Sequence, residues 1–262
     1  MLGAKLRHLS VWFKKEKHIM NTKGKNSIKE SKTTMTASTL MRLAGLSAMV
    51  AGLCFIVIGM FHPLNVPAAV TTSTWFYVHI FATALGFFGL FGMAGLYARQ
   101  VEKSGWLGLA GFLLFTVWMT LVTGMSFVEA FILPRIAADF PKFIEGWMGM
   151  FIGIPSPVDL GVLPTMWNMS GPMYILGPLF FGIATFRAGV LPRWAGALLI
   201  LGAVLIPVGA LVPPEYQAKI AMIPVGLAIA WLGYALFSER RAPASEPLPV
   251  MGSPLSVQTG AD

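Results

Sequence analysis

The sequence is poor in charged residues and contains a single cysteine. Asp, Glu, Lys and Arg together make up 11% of the 262 residues, whereas hydrophobic residues make up 56%. Soluble domains carry about 25% charged residues, so this composition excludes an ordinary water-soluble fold and predicts a chain that lies mostly in lipid. With Cys54 alone, the chain can form neither an intrachain disulfide nor a cysteine-based zinc or iron–sulfur site.

The motifs that mark common enzyme and nucleotide-binding sites are also absent. The chain has no GxxxxGK[S/T] phosphate loop, no GxGxxG sequence and no GxSxG nucleophile elbow. No acidic residue lies at the predicted middle of an apolar run, which argues against a proton-coupled carrier. Function must therefore be inferred from the distribution of charge and the spacing of polar residues along apolar segments.

The positive charge is confined to one end of the chain. Residues 1–42 contain eight Lys and two Arg against two Glu, which accounts for the whole net charge of +8. Without a folded basic face or a recognisable motif, this charge does not predict nucleic-acid binding. Residues 1–38 are predicted to be a basic cytoplasmic tail, either an amphipathic helix on anionic lipid or a disordered segment. A third alternative is that the natural product starts at Met20 or Met35.

Long apolar runs predict an all-α, polytopic membrane helix bundle with six transmembrane helices. A span needs about 20 apolar residues, and only helices satisfy all backbone hydrogen bonds in lipid. The predicted spans are 41–61, 77–98, 106–128, 168–187, 194–213 and 218–237. They form a domain at 39–240 with a long outer loop at 129–167, followed by a disordered cytoplasmic tail at 241–262.

The basic residues also predict the orientation of the bundle. With the N-terminus in the cytoplasm, every short inside connection carries two basic residues, whereas the first outside loop carries none. This distribution follows the positive-inside rule and predicts a multi-pass protein of the plasma (inner) membrane with both termini in the cytoplasm. The inside pairs are Arg99 and Lys103, Arg187 and Arg193, and Arg240 and Arg241.

Two features of the sequence carry a resemblance to a known class of proteins. The first span begins LMRLAGLSAMVAGLCFIVIG, and two later hairpins place a tryptophan seven residues after an arginine, at Arg99–Trp106 and Arg187–Trp194. Over residues 40–240 this layout resembles small six-helix bacterial inner-membrane proteins of the domain-of-unknown-function type. The resemblance implies the fold and carries over no catalytic residue.

Polar residues from four predicted spans fall at a similar depth on the outer side. Counting about 20 residues outward from each inside boundary reaches His62, His79 and Asn168, with Glu129 one turn beyond the core and Tyr174 deeper. Ionisable groups near a membrane are costly and usually face a bundle interior or a water-filled cavity. These five residues are the candidate ligand-binding site. The competing interpretation is that they hydrogen-bond to water, headgroups and loop carbonyls.

The residue types in this set suggest several ligands. His62, His79 and Glu129 could bind zinc, copper or iron, and the two histidines could ligate a haem. The cofactor is therefore unknown, with haem or a transition metal as candidates. Histidine and glutamate can also transfer protons near neutral pH. No catalytic residue is assigned.

The outer loop is predicted to contain an amphipathic helix. Apolar residues recur at helical spacing between Phe140 and Ile152, with Lys142 and Glu145 among them and Asp139 directly before them. Such a helix either lies on the outer leaflet or covers the bundle as a lid.

Three functions are consistent with these features. The first is a non-enzymatic accessory or sensory protein with a ligand site on the extracytoplasmic side. The second is a transporter of a small neutral or apolar solute, and the third is a membrane enzyme that uses Glu129 and a histidine as an acid–base pair. The expected partners are the lipid bilayer and either another membrane protein or a second copy of the chain, with no nucleic acid.

Overall fold

The structure, a computed structural model, describes residues 35–209 and 211–239. Within these ranges the regular elements are all helical, which confirms the predicted all-α class. The helices are α1 (Ala37–Phe61), α2 (Ser73–Phe131), α3 (Leu133–Ile136), α4 (Pro141–Ile152), α5 (Leu163–Ala188), α6 (Arg193–Gly209) and α7 (Pro214–Ser238), with a 3₁₀ turn at Pro67–Ala69.

Helix α2 is folded back on itself at Gly105. The backbone of Gly105 has φ 58° and ψ −165°, a conformation that residues with a Cβ rarely adopt. The indole of Trp75 donates a hydrogen bond of 2.9 Å to the carbonyl of Glu129, 54 positions further along the chain. The two halves of the helix therefore run antiparallel, and we call them arm α2a (residues 73–104) and arm α2b (residues 106–131).

The helices pack side by side in chain order and close into a ring. α1 packs so closely on α2a that a Cβ on Gly92 would lie 2.6 Å from the Cα of Ala48. Arm α2b meets α5 in the same way, because a Cβ on Gly177 would lie 2.8 Å from the Cα of Phe115. α5 then packs against α6, α6 against α7, and α7 against α1.

Glycines allow the closing contact between α1 and α7. Gly45, Gly52 and Gly59 are seven residues apart and therefore share one face of α1. A Cβ on Gly52 would lie 2.5 Å from the carbonyl oxygen of Gly226, and one on Gly45 would lie 2.8 Å from that of Gly233. Backbones approach this closely in membrane helices when small residues line the interface, since lipid supplies no hydrophobic force between helices.

Aromatic side chains fill the interior of the ring. The rings of Trp118 and Tyr174 stack at 4.1 Å, and Phe55 stacks on Trp118 at 5.8 Å. The Tyr174 hydroxyl donates a hydrogen bond of 2.9 Å to the carbonyl of Ala221. These contacts join α1, α2b, α5 and α7, so the interior at this level is packed with side chains.

Four helices of the described chain are long and apolar enough to cross a membrane: Ala37–Phe61, Ser73–Ile136, Leu163–Ala188 and Pro214–Ser238. Helix α6 is also apolar but has only 17 residues, and it ends at Gly209, before the predicted boundary at residue 213. The connection predicted between the second and third spans is reduced to Gly105. The predictions for residues 1–34 and 240–262 lie outside the described residues.

Candidate functional site

Two histidines, a glutamate and two tryptophans meet at the end of the ring that is remote from Gly105. His79 Nε2 lies 3.2 Å from Glu129 Oε2, and the imidazole rings of His62 and His79 have centroids 5.4 Å apart. The Trp147 indole donates a hydrogen bond of 3.1 Å to Glu129 Oε1. The rings of Trp75 and His79 are in contact, with centroids 4.1 Å apart and planes tilted by 37°. We call these five residues the His–Glu cluster.

The hairpin in α2 brings His79 and Glu129 together. His79 lies 26 residues before Gly105 and Glu129 lies 24 residues after it, so arms of nearly equal length place them at one level. The start of α2a is fixed by Thr72, whose hydroxyl accepts a hydrogen bond from the backbone N–H of Trp75. Trp75 and His79 are four residues apart on the same face of the helix, which explains why their rings are in contact.

The hydrogen bonds of His79 define where its protons lie. His79 Nδ1 is 2.7 Å from the carbonyl oxygen of Trp75, and because a carbonyl only accepts, Nδ1 carries a hydrogen and donates it. The remaining nitrogen, Nε2, faces Glu129 Oε2. This contact is attractive only if one proton lies between them, either on Nε2 or on the carboxyl group. In both forms the His79–Glu129 pair is neutral overall.

Burial makes that shared proton important for stability. The side chains of His79 and Glu129 are 2% and 5% exposed. An unpaired charge at such a position is costly because it loses its hydration, whereas a hydrogen-bonded pair of zero net charge avoids most of that cost. Trp147 supplies a further donor to the second carboxyl oxygen, so each oxygen of Glu129 has a partner.

His62 is the member of the cluster that lies outside the helices and is only half-buried. Its Nδ1 lies 2.7 Å from the carbonyl oxygen of Pro63, so Nδ1 donates and Nε2 is left as an acceptor in the neutral ring. Burial lowers the pKa of His62 below its ordinary value, although the hydrogen bond to Pro63 opposes that effect. His62 is therefore neutral at neutral pH.

The amphipathic helix predicted in the outer loop is α4, and it packs over the cluster. Its buried face contacts the start of α2a and the end of α2b. Met148 of this face is buried, so its thioether acts here as a packing group. The buried apolar cluster that α4 forms with its neighbours consists of Val70, Trp75, Met125, Leu133, Ile144, Trp147, Met148, Met150 and Leu160.

The metal and haem predictions gain no support from this geometry. In the part of the chain that the structure describes, no three His, Cys, Asp or Glu side chains are grouped so that they could hold a metal ion. Nδ1 of His79 donates to a backbone carbonyl and its Nε2 faces Glu129, so neither nitrogen is free for a metal or for haem iron. The assignment of His62, His79 and Glu129 as metal ligands stays a prediction.

Two of the predicted site residues lie elsewhere. Asn168 is exposed on α5, and no hydrogen bond or ring contact among the described residues joins it to the cluster. Tyr174 belongs to the aromatic interior, where it is 9% exposed and bonded to Ala221. The structure therefore brings together His62, His79 and Glu129, and it leaves Asn168 and Tyr174 out.

The two tryptophans of the cluster were not predicted as site residues. Trp75 could have been found from its position four residues before His79 on one helical face. Trp147 belongs to the apolar face of the loop helix, and its sequence position gives no signal that its indole reaches a carboxylate.

No protein-family model, curated protein or solved structure matches this chain. The resemblance to six-helix bacterial membrane proteins therefore stays a prediction.

Proposed function

We propose that this chain is a non-enzymatic, six-span protein of the plasma (inner) membrane with a sensory or accessory role. In this proposal a change at the His79–Glu129 pair, such as loss of the shared proton, alters how helix α4 is held on the bundle. A sensory or accessory role implies a partner, which is another membrane protein or a second copy of the chain.

The proposed number of spans follows from the turn at Gly105. A span needs about 20 residues, and each arm of α2 exceeds that length, so the long helix supplies two spans instead of one. With α1, α5, α6 and α7 the total is six. Helix α6, at 17 residues and about 1.5 Å per residue, reaches across most of a ~30 Å core.

The orientation is supported by the position of the basic residues. Arg99 forms a two-pronged ion pair with Glu239, at the end of α7, with N–O distances of 2.7 to 2.9 Å. The end of α7 is therefore beside the Gly105 turn, remote from the His–Glu cluster. Because basic residues gather at that end, the positive-inside rule favours both termini in the cytoplasm and the cluster on the outer side.

The observation that carries the proposed role is the environment of the Glu129 carboxylate. One oxygen faces His79 of arm α2a and the other accepts from Trp147 of helix α4. A change at the His79–Glu129 pair, such as loss of the shared proton, would alter the acceptor on which α4 is held. The cluster can thus transmit a local change to an outer element.

The same geometry favours this role over catalysis and transport. The ring nitrogens of His79 and the oxygens of Glu129 already face groups within the protein, whereas an acid–base pair needs a free group facing a substrate. Transport needs a path through the bundle, and aromatic side chains occupy its interior.

Hydrogen exchange of α4 amides in lipid nanodiscs tests this role. Glu129→Ala removes both acceptors and is expected to increase exchange in α4 about tenfold, the factor that corresponds to ~1.4 kcal/mol. Glu129→Gln keeps an acceptor for Trp147 and an N–H donor for His79 Nε2, so its exchange should stay near that of the parent protein. Glu145→Gln, an exposed change on α4 itself, is the matched control.

The proposal is wrong if Glu129→Ala leaves exchange in α4 unchanged while the protein remains folded. It is also wrong if Glu145→Gln raises exchange as much as Glu129→Ala, because the effect would then reflect lost charge and not the lost contact.

A further inference from the structure

A cavity of about 430 Å³ lies at the opposite end of the ring from the His–Glu cluster. It opens between the last turn of α2a and the turn that follows α5. Its polar lining includes Arg99, Gln100, Glu102 and Lys103, and Val190 contributes an apolar wall. The cavity therefore presents both signs of charge and an amide within about one helical turn.

A buried amide beside this cavity has an unused acceptor. Gln100 is 1% exposed, and its Nε2 donates a hydrogen bond of 2.9 Å to the hydroxyl of Thr185. Within residues 35–209 and 211–239, its Oε1 meets no partner, and neither does the hydroxyl of Ser104 one turn further on, which is 6% exposed. Among the described residues these are the only two buried side-chain polar atoms without a hydrogen bond. Buried groups of this kind usually have a hydrogen-bond partner, and because Gln100 lines the cavity, a donor that enters the cavity would supply one.

Two cationic side chains, Arg99 and Lys103, line the cavity beside the carboxylate of Glu102. Arg99 uses Nε and Nη2 in its ion pair with Glu239, which leaves Nη1 without a hydrogen bond among the described residues. Lys103, four residues further along the same helical face, is exposed. A guanidinium and an ammonium at this spacing suit a phosphate group, which accepts charge-assisted hydrogen bonds from both.

The cavity lies at the level where phospholipid headgroups are expected. Trp106 and Trp194 follow the two turns beside it and are 86% and 73% exposed. Exposed tryptophans at helix ends mark the interface between membrane and water. A phospholipid with its chains along the outside of the bundle would place its phosphate at this depth.

We propose that this cavity binds a phosphate ester whose alcohol carries a hydrogen-bond donor, as in a phosphatidylethanolamine or phosphatidylglycerol headgroup. The phosphate lies against Lys103 and Arg99, and the amine or hydroxyl donates to Gln100. This site depends on insertion of the chain in a membrane but not on the role proposed for the His–Glu cluster.

The test measures phospholipid bound to the full-length protein by native mass spectrometry in detergent. Phosphatidylethanolamine should bind about tenfold more tightly than phosphatidylcholine, because a quaternary ammonium has no N–H to donate, and one lost hydrogen bond of ~1.4 kcal/mol is a factor of ten. Lys103→Ala and Gln100→Met should each lower ethanolamine-lipid binding by a similar factor. Lys142→Ala, an exposed lysine on α4, should not.

Equal binding of the two lipids, or unchanged binding in Lys103→Ala, overturns the proposal. Because Lys103 is exposed, that variant should fold even if Gln100→Met does not. Soluble glycerophosphoethanolamine and inorganic phosphate form separate arms. If glycerophosphoethanolamine binds as tightly as the lipid, the same chemistry is supported with a soluble ligand. If inorganic phosphate alone binds with the lipid's affinity, the requirement for a hydrogen-bond donor on the ligand is contradicted.

Discussion

At the residue scale, the backbone of Gly105 sets how the two arms of α2 meet. Gly105→Ala should lower the free energy of unfolding by roughly 1–3 kcal/mol, because the conformation at φ 58° is strained for any residue with a Cβ. An added Cβ would meet no atom of the described residues within 4 Å, so the cost expected here is conformational. Unfolding in a detergent titration measures the change.

Gly124→Ala is the matched control for this prediction. In the part of the chain that the structure describes, a Cβ at Gly124 also meets nothing within 4 Å, and Gly124 is not among the glycines with positive φ. It should be neutral or slightly stabilising, since alanine favours helix by about 1 kcal/mol over glycine. An equal loss of unfolding free energy in Gly105→Ala and Gly124→Ala would show that the turn does not depend on glycine.

The second residue-scale prediction concerns the buried pair. His79→Ala should destabilise the protein by about 3–5 kcal/mol, because Glu129 would remain buried without its partner. Adding Glu129→Gln to His79→Ala should recover part of this loss, because glutamine carries no charge. Thermal unfolding in nanodiscs gives both values. No recovery in the double variant would contradict the pairing argument.

His62 provides a pH prediction. Its pKa is lowered by burial in the folded protein, so the unfolded chain binds more protons below the ordinary histidine pKa. Stability should therefore fall as pH decreases from about 7.5 to about 5.5, through the ordinary value near 6.5. His62→Gln should show a smaller decrease over the same range. Melting temperatures at the two pH values measure the difference. An identical decrease in melting temperature in the parent protein and in His62→Gln would show that His62 is not its source.

At the element scale, α4 should be held partly by a single polar contact. Trp147→Phe keeps an aromatic ring in the apolar cluster but removes the donor to Glu129, which should cost about 1–3 kcal/mol of local stability. Exchange of α4 amides should rise, whereas exchange in α5 and α7 should not. Trp167→Phe is the control, because its indole makes no hydrogen bond among the described residues although it packs against the same cluster. A uniform rise across all helices would contradict a local role.

Elements differed in how far the sequence predicted them. The period of apolar residues between Phe140 and Ile152 predicted α4 almost to its ends, because an amphipathic pattern is a local property. The length of α2 was not predictable in the same way. Residues 99–104 are polar enough to suggest a connection, yet they stay helical to Ser104, and the turn is made at one glycine.

At the scale of the whole molecule, the proposed topology can be tested with the native cysteine left in place. Cys54 is 4% exposed and should react slowly. Lys142→Cys should be labelled by a membrane-impermeant thiol reagent in intact cells, and Lys103→Cys only after permeabilisation, as the positive-inside rule predicts. The reverse labelling pattern would contradict the proposed orientation and place both termini on the outer side.

The sequence by itself determined that this chain is helical and apolar enough for a membrane, because composition and run length are one-dimensional properties. Depth counting also placed His62, His79 and Glu129 at one level, since helix rise is constant. Depth does not fix rotation about a helix axis, which is why Asn168 was predicted at the site and lies exposed outside it. Only the tertiary structure, through the turn at Gly105 and the packing of α4, decided that His79 meets Glu129 and that Trp147 completes the cluster.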